Sequence, residues 1–368
     1  MSSSVCFFSD FLVTDSFSDL RVSERFCNFA SANDYNFVNL EAPICKSNLA
    51  LLPKAGPSFK QGEHVFRFLR DLNISHLCLA NNHIFDYGKS GVAETVDSVK
   101  GISCLGFEFG ADLYEPVKLV VGHFDIAVFN VCERQFGCAF SDEIDGFSYI
   151  FSSKFDAALK SARDNFDYII VVSHTGLEGV SLPLPQWRKR YHEILALGAD
   201  VVINHHPHVR QGFEVVGGKR IYYSLGNFLF KDFASSDGFF VSVNFDGDEL
   251  SFSEFELIFS NGVLDFQPVR IQDISEYLNS DLYFSDVDNM CLTIFRDRYV
   301  EMFNYSMDGF RFGSSFNVRL WAALKNFWKN IFRRNNHVMK DVVLYHLICF
   351  DTHRFVCDIA LRSRAKVF

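Results

Sequence analysis

The chain has 368 residues, 48% of them hydrophobic, enough for one large domain or two smaller ones with a proper core. Its formal net charge of -10 argues against whole-surface attraction to nucleic acid or anionic lipid, so an anionic ligand must be held locally, for example through a metal ion. Ten cysteines form no CxxC pair and no compact framework spacing, and most of them read as buried reduced thiols.

The first residues, MSSSVCFFSDFLVTD, lack a basic region followed by an apolar segment of signal-peptide length, because Asp10 interrupts the run. No stretch approaches the roughly 18 uncharged apolar residues of a membrane span. A cytoplasmic protein with no nucleic-acid partner is the expectation. Short apolar runs then alternate with longer amphipathic ones up to residue 205, the pattern of an α/β domain. Strands are expected at VCFFSDFLV from Val5, YNFVNL from Tyr35, SHLCLA from Ser75, YIIVVS from Tyr168 and DVVIN from Asp200. Helices are expected over 63–72, 88–99, 153–163 and 184–197. Residues 117–131 read as a hairpin turning at Gly122-His123, and 213–225 as one turning at Gly217-Gly218. Further alternating strands follow, with turns at Gly247 and Gly262. Parallel-type units followed by hairpins predict two sheets face to face with helices outside. The 43 phenylalanines, spread along the chain, are assigned to core and strand positions rather than to binding.

Near residue 275 the character changes, which divides the chain into a domain over 1–275 and a mixed extension over 276–368. From Arg311 to Lys340 there are seven Lys or Arg and no Asp or Glu, with Trp321, Leu324, Trp328, Ile331 and Phe332 at helical spacing. That is a basic amphipathic helix at about 315–334. Two readings apply: its apolar face docks on the main domain, or it binds a membrane surface or a partner.

Metal-competent side chains follow the strands. Asp10 lies in FFSDFLV, Glu41 ends VNLE, Asn81, Asn82 and His83 follow CLA, His174 ends IIVVSH, and His206 and His208 follow DVVIN. In open α/β sheets ligands bind outside the carboxyl ends of the strands, so these residues should converge. A lone histidine at a strand end is more often a hydrogen-bonded structural residue; the joint pattern carries the argument. Mixed oxygen and imidazole donors suit Mn, Fe or Zn, and the absence of thiolates among them favours a catalytic over a structural site. Asp86 has two readings, as cap of the helix beginning near Gly88 or as a carboxylate orienting a histidine. Asn227, in YSLGNF, either closes the site or makes a plain strand turn.

FFSDFLV, VNLEAPI, LANNHIFDYG, VVSHTGLE and GADVVINHHPHVRQGFEVVGGKRIYYSLGNFLF together resemble the motif series of the CapA family of bacterial capsule and poly-gamma-glutamate synthesis proteins, a branch of the calcineurin-like metallophosphoesterases. The resemblance spans residues 5 to 235 and implies a four-layer αββα sandwich with two divalent metal ions at the strand ends. Residue by residue, it implies that Asp10 and His208 hold the first metal and Asn82, His174 and His206 the second. Glu41 stands where related phosphoesterases bridge the two with an aspartate. His83 resembles the histidine that protonates a leaving oxygen. Asp86, Glu178, His205 and Asn227 are then supporting residues. The superfamily's Asp-x-His is here Asp10-Phe11-Leu12, which leaves the first metal one imidazole short.

The function implied is a metal-dependent hydrolase or transferase acting on a phosphoester or polyglutamyl substrate, an anionic polymer, during envelope synthesis. The alternative is a noncatalytic part of a capsule machine, docked to a synthase or to the inner face of the membrane through residues 311–340.

Overall fold

The computed structural model describes residues 3–45, 49–107, 113–136, 138–139, 146–231, 236–245, 250–306 and 336–365. The chain forms two compact units, one of Met1–Leu52 with Ser58–Ser275 and one of Pro53–Pro57 with Glu276–Phe368.

The first unit is built on two large sheets. The nine-stranded sheet contains β1 (Ser4–Leu12), β2 (Arg21–Val22), β3 (Tyr35–Leu40), β4 (His76–Cys78) and β5 (Ser103–Leu105). The six-stranded sheet contains β6 (Val117–Val121) and β7 (Phe124–Cys132), while β8 (Cys138–Ala139) and β9 (Phe147–Ser148) pair apart from both. β10 (Tyr168–His174), β11 (Val201–His205), β12 (Phe213–Val216) and β13 (Lys219–Tyr222) complete the six-stranded sheet, in the order β12-β13-β11-β10-β7-β6. β14 (Asn227–Phe230), β15 (Phe239–Asn244), β16 (Ser251–Ser260) and β17 (Val263–Pro268) complete the other, in the order β2-β17-β16-β15-β1-β3-β4-β5 with β14 also on β1. Both expected hairpins form: β6 with β7 and β12 with β13 are antiparallel, as are β15, β16 and β17 in succession.

Side-chain alternation sorts these strands into layers. Val5, Phe7, Phe37 and Val241 of one sheet meet Val128, Ile170, Val172, Val201 and Ile203 of the other in a dry core between the sheets. On the opposite face of the larger sheet, Phe8, Phe11, Val38 and Leu77 pack under α1 (Glu24–Ala32), α2 (His64–Asp71) and α3 (Gly88–Ser98) through Phe26, Phe68 and Val92. α4 (Ser153–Arg163) lies against β10, and α5 (Pro185–Leu197) against β11. The result is the expected four-layer αββα, metallophosphoesterase-like sandwich.

α1 is absent from the sequence-based reading, yet its start is written in the chain. Ser23 caps it by accepting from Phe26 N, and Phe26, Phe29 and Ala30 recur at helical spacing. Many of the phenylalanines do serve as core. Phe26 stacks on Phe240 at 5.3 Å and meets Phe266 at 4.9 Å, and Phe255 stacks on Phe240 in turn.

The second unit, in its described residues, is helical. α6 (Ser275–Leu278) leads to α7 (Asp281–Ile294), which continues through a π-helical turn at Phe295–Tyr299 into α8 (Val300–Ser306). α9 (Asn336–Cys349) and α10 (Asp351–Ala365) follow, α10 packing on α7 and α9 on α8. The basic amphipathic helix expected at about 315–334 lies outside the described residues. Among the described residues no helix is long and apolar enough to cross a membrane.

Candidate metal centre

The expected donors do meet, and local backbone geometry explains how. In β1, Phe8 and Phe11 both face the helices although they are three apart, a parity that strict alternation forbids. Register shifts on both sides of Asp10, against β3 and against β14, supply the extra residue, as in a β-bulge, and turn Asp10 away from the helix layer. His174 continues the inward row of Ile170 and Val172, and His205 that of Val201 and Ile203. Both imidazoles therefore enter the space between the sheets. Beyond β11 the chain turns sharply: His206 and His208 have φ of 94° and 57°, a left-handed conformation costly to residues with a Cβ and typical of functional loops.

The distances define a compact buried cluster. Glu41 Oε1 stands 3.4 Å from His174 Nε2 and 3.3 Å from His208 Nε2. Asp10 Oδ2 lies 3.3 Å from His208 Nδ1 and accepts from the backbone N–H of His206 at 3.3 Å. Asn82 Oδ1 reaches the same Nε2 of His174 at 2.9 Å. Two donor groups result, the buried Glu41, His174 and His206, and Asp10 and Glu41 with the half-buried His208, and Glu41 belongs to both. A third grouping combines His206 and His208 with Glu178, whose side chain is exposed.

Supporting residues fix the orientation of these donors. Asn227 accepts from His208 Nδ1 at 2.8 Å and donates to the His208 carbonyl at 3.2 Å, which leaves Nε2 turned to Glu41. Asp86 Oδ2 holds His83 Nδ1 at 2.8 Å and also accepts from Phe59 N at 2.6 Å, so Asp86 orients a histidine. Asn81 accepts from the N–H groups of His83 and Ile84 while donating to Asn39 and the Leu40 carbonyl, shaping the Asn-Asn-His loop.

Several contributors escaped the sequence reading because they are ordinary polar residues in or just past the strands. Asn39 donates to Asp10 at 2.8 Å. Asn204 donates to the carbonyls of Thr175 and Tyr223 and accepts from Ser173, locking two strand ends together. Glu133, just past β7, accepts from Gly176 N at 2.9 Å. Its position at the end of a strand is the signal that could have found it.

Protonation follows from burial and charge. Burial lowers His174 well below the ordinary histidine value and His206 to about 3, against the pull of nearby carboxylates, so both are neutral with a lone pair for a ligand. Burial also lowers His205. At His208 burial acts in the same direction but is outweighed by Glu41 and Asp10, which raise it well above the usual range.

The residues fit a divalent cation. Both oxygens of Glu41 and the Nδ1 atoms of His205 and His206 are buried without a hydrogen bond, an arrangement costly for a closed protein interior unless something else satisfies them. The donors are oxygen and imidazole nitrogen, held by neighbours that set their tautomers. At the place where Asp-x-His would supply another imidazole, Leu12 instead packs with Ala42 and Phe230, so the Asp10 side of the centre has fewer nitrogen donors.

The fold is thus an αββα sandwich with oxygen and imidazole donors gathered at its strand ends. The sequence profile of the family described as "Bacterial capsule synthesis protein PGA_cap" matches residues 19–232, and the chain belongs to that family. It is 28% identical over 210 residues to "Capsule biosynthesis protein CapA" of Bacillus anthracis, covering 54% of this chain and 51% of the relative. It is 28% identical over 206 residues to "PGA biosynthesis protein CapA" of Bacillus subtilis (strain 168), covering 54% of each. The chain thus spans about half the length of the relatives it matches. Among solved structures, a phosphatase of Mycoplasma pneumoniae is 13% identical with a TM-score of 0.42, covering 77% of this chain and 98% of that one. A 5'-nucleotidase of Candida albicans is 12% identical with a TM-score of 0.40, covering 69% and 51%.

Proposed function

We propose that this chain is a metal-dependent hydrolase or transferase acting on a phosphoester or polyglutamyl substrate in the synthesis of an envelope polymer. The observation that carries the reading is the sharing of Glu41 by two donor groups. Glu41 would bridge two ions, with Asp10 and His208 completing one position and Asn82, His174 and His206 the other. Bound there, divalent ions such as Mn, Fe or Zn supply Lewis acidity and a nucleophile at neutral pH. The protein's own groups do the rest. Burial keeps His174 and His206 in their neutral, ligating form. Asp86 fixes His83 Nδ1, so proton delivery to a leaving oxygen falls to His83 Nε2. Asn227 holds His208, and His205 lines the floor of the centre 3.7 Å from Asp10.

A second reading has its own observation. Leu12 in place of a histidine favours a noncatalytic component that keeps the fold and a residual metal, works on the cytoplasmic face, and meets a synthase or membrane through residues 311–340.

Metal content by mass spectrometry beside hydrolysis of bis(4-nitrophenyl) phosphate, with Mn added, separates the two. Wild type should carry metal and turn over, and His206→Ala should lose both. A folded wild type that takes up no Mn, Fe or Zn and hydrolyses nothing sinks the two-metal mechanism.

A further inference from the structure

Lys231 follows β14 directly and is held unusually firmly for a lysine. Its φ is 58°, a left-handed conformation that glycine adopts freely and lysine does not. Its N–H donates to the Leu12 carbonyl at 2.9 Å, and its own carbonyl accepts from Thr14 Oγ1 and, at 2.8 Å, from Ser16 Oγ. The backbone is therefore pinned from both sides in a shape that costs energy, the pattern expected where a side chain must be aimed.

The side chain is aimed between two aromatic rings. Lys231 Nζ lies 4.2 Å from the centroid of Phe59 and 5.0 Å from that of Phe230. Phe59 packs on the imidazole of His83 at 4.6 Å, and Phe230 on that of His208 at 4.3 Å. Both rings belong with Leu12 and Ala42 to one small apolar cluster beside Glu41. Among the described residues no carboxylate pairs with Lys231. A cation steadied by π faces keeps its full charge for an incoming anion, whereas a cation in an ion pair has spent it. On a chain of net charge -10, a cation with no carboxylate partner among the described residues, packed against the rings beside His83 and His208, is an asymmetry that needs a use.

We propose that Lys231 is a specificity-determining residue that binds a second anionic group of the substrate, a carboxylate or a phosphate, beside the group that reacts. Phe59 contacts both the ammonium and His83, and Phe230 both the ammonium and His208, so Lys231 stands beside the reacting centre, where the neighbouring unit of an acidic chain would lie. The substrate class is thus one with repeated or paired anionic groups. Phe59 and Phe230 steady the ammonium. This inference rests on the metal-centre reading and deepens it.

The test uses the full chain loaded with manganese, in wild-type, Lys231→Gln and Lys231→Arg forms. Binding of methyl phosphate, phosphoglycolate and propane-1,3-diol bisphosphate is measured by calorimetry, with manganese content and Tm recorded for each protein. Wild type should bind at least one of the two doubly anionic probes about tenfold more tightly than methyl phosphate, the size of one charge-assisted contact. Which probe is preferred identifies the second group as carboxylate or phosphate. Lys231→Gln should erase the preference while binding methyl phosphate and manganese as wild type does, and Lys231→Arg should keep most of it. A loaded wild type without the preference, or a Lys231→Gln protein that retains it, overturns the inference. A wild type that takes up no manganese overturns the metal-centre reading, and this inference with it.

Discussion

Replacing Glu41 by Gln preserves side-chain size and removes the acid common to both donor groups. Replacing Glu178 by Gln removes the exposed acid of the third grouping and leaves the other two intact. The two substitutions therefore report which set holds an ion. An ion that binds only the folded state stabilises it by about 4 kcal/mol at a thousandfold excess over Kd. For a folding unit of this size each kcal/mol moves Tm by about 2–4 °C, so wild type should gain about 8–16 °C. A hundredfold loss of affinity leaves about 1.4 kcal/mol at the same concentration, or about 3–6 °C. Glu41→Gln should fall to that level or below, and Glu178→Gln should stay near the wild-type gain. Calorimetric scans with manganese fixed at a thousand times the wild-type Kd make the measurement, and each protein is compared with its own metal-free form. That comparison cancels whatever the substitution does to the metal-free fold. A Glu41→Gln protein with the full gain beside a Glu178→Gln protein without it would falsify the buried assignment.

Glu214 gives a pH test away from the metal centre. Burial alone would raise its carboxyl, but hydrogen bonds from His192, Arg188 and Tyr223 outweigh burial and lower it from 4.5 to about 2. A depressed acid contributes stability above its unfolded pKa and loses it as pH falls through the folded one, here about 3 kcal/mol between about pH 4.5 and 2. Urea unfolding at pH 5 and pH 2.5 should show that loss in wild type and a smaller one in Glu214→Gln; parallel losses refute the argument. Asp86→Asn should lower kcat on an alkyl phosphodiester, whose alkoxide leaving group needs a proton, by about a hundredfold, the scale of general-acid help, with manganese content unchanged. An unchanged kcat would mean that His83 does not need its carboxylate.

Much of the fold was legible because its elements carry strong periodic signals. Buried parallel strands such as Tyr168–His174 are near-continuous apolar runs, and the two Gly-marked hairpins announce their turns. β4 proved shorter than SHLCLA suggests, since its pairing stops at Cys78 and the chain then bends to present Asn81, Asn82 and His83. The donors were readable from their place after strands. Their relation to one another was not, because the bulge that turns Asp10 and the left-handed backbone at His206 and His208 leave no mark in hydrophobic pattern. Lys231 was passed over for the same reason: only the conformation of its backbone and the two rings beneath it distinguish it from any other surface lysine.

The order of strands in the larger sheet has a consequence for biosynthesis. β1 is made before the other strands of its sheet, yet its neighbours are β3 on one side and β14 and β15 on the other. One edge of an entirely buried strand therefore waits uncovered until residues 227–244 have been made, and such an edge is a template for wrong pairing. The donor cluster likewise joins distant parts of the chain, since Asp10 and the His206 amide that it accepts from are 196 positions apart. Nascent chains should lean on chaperones until then.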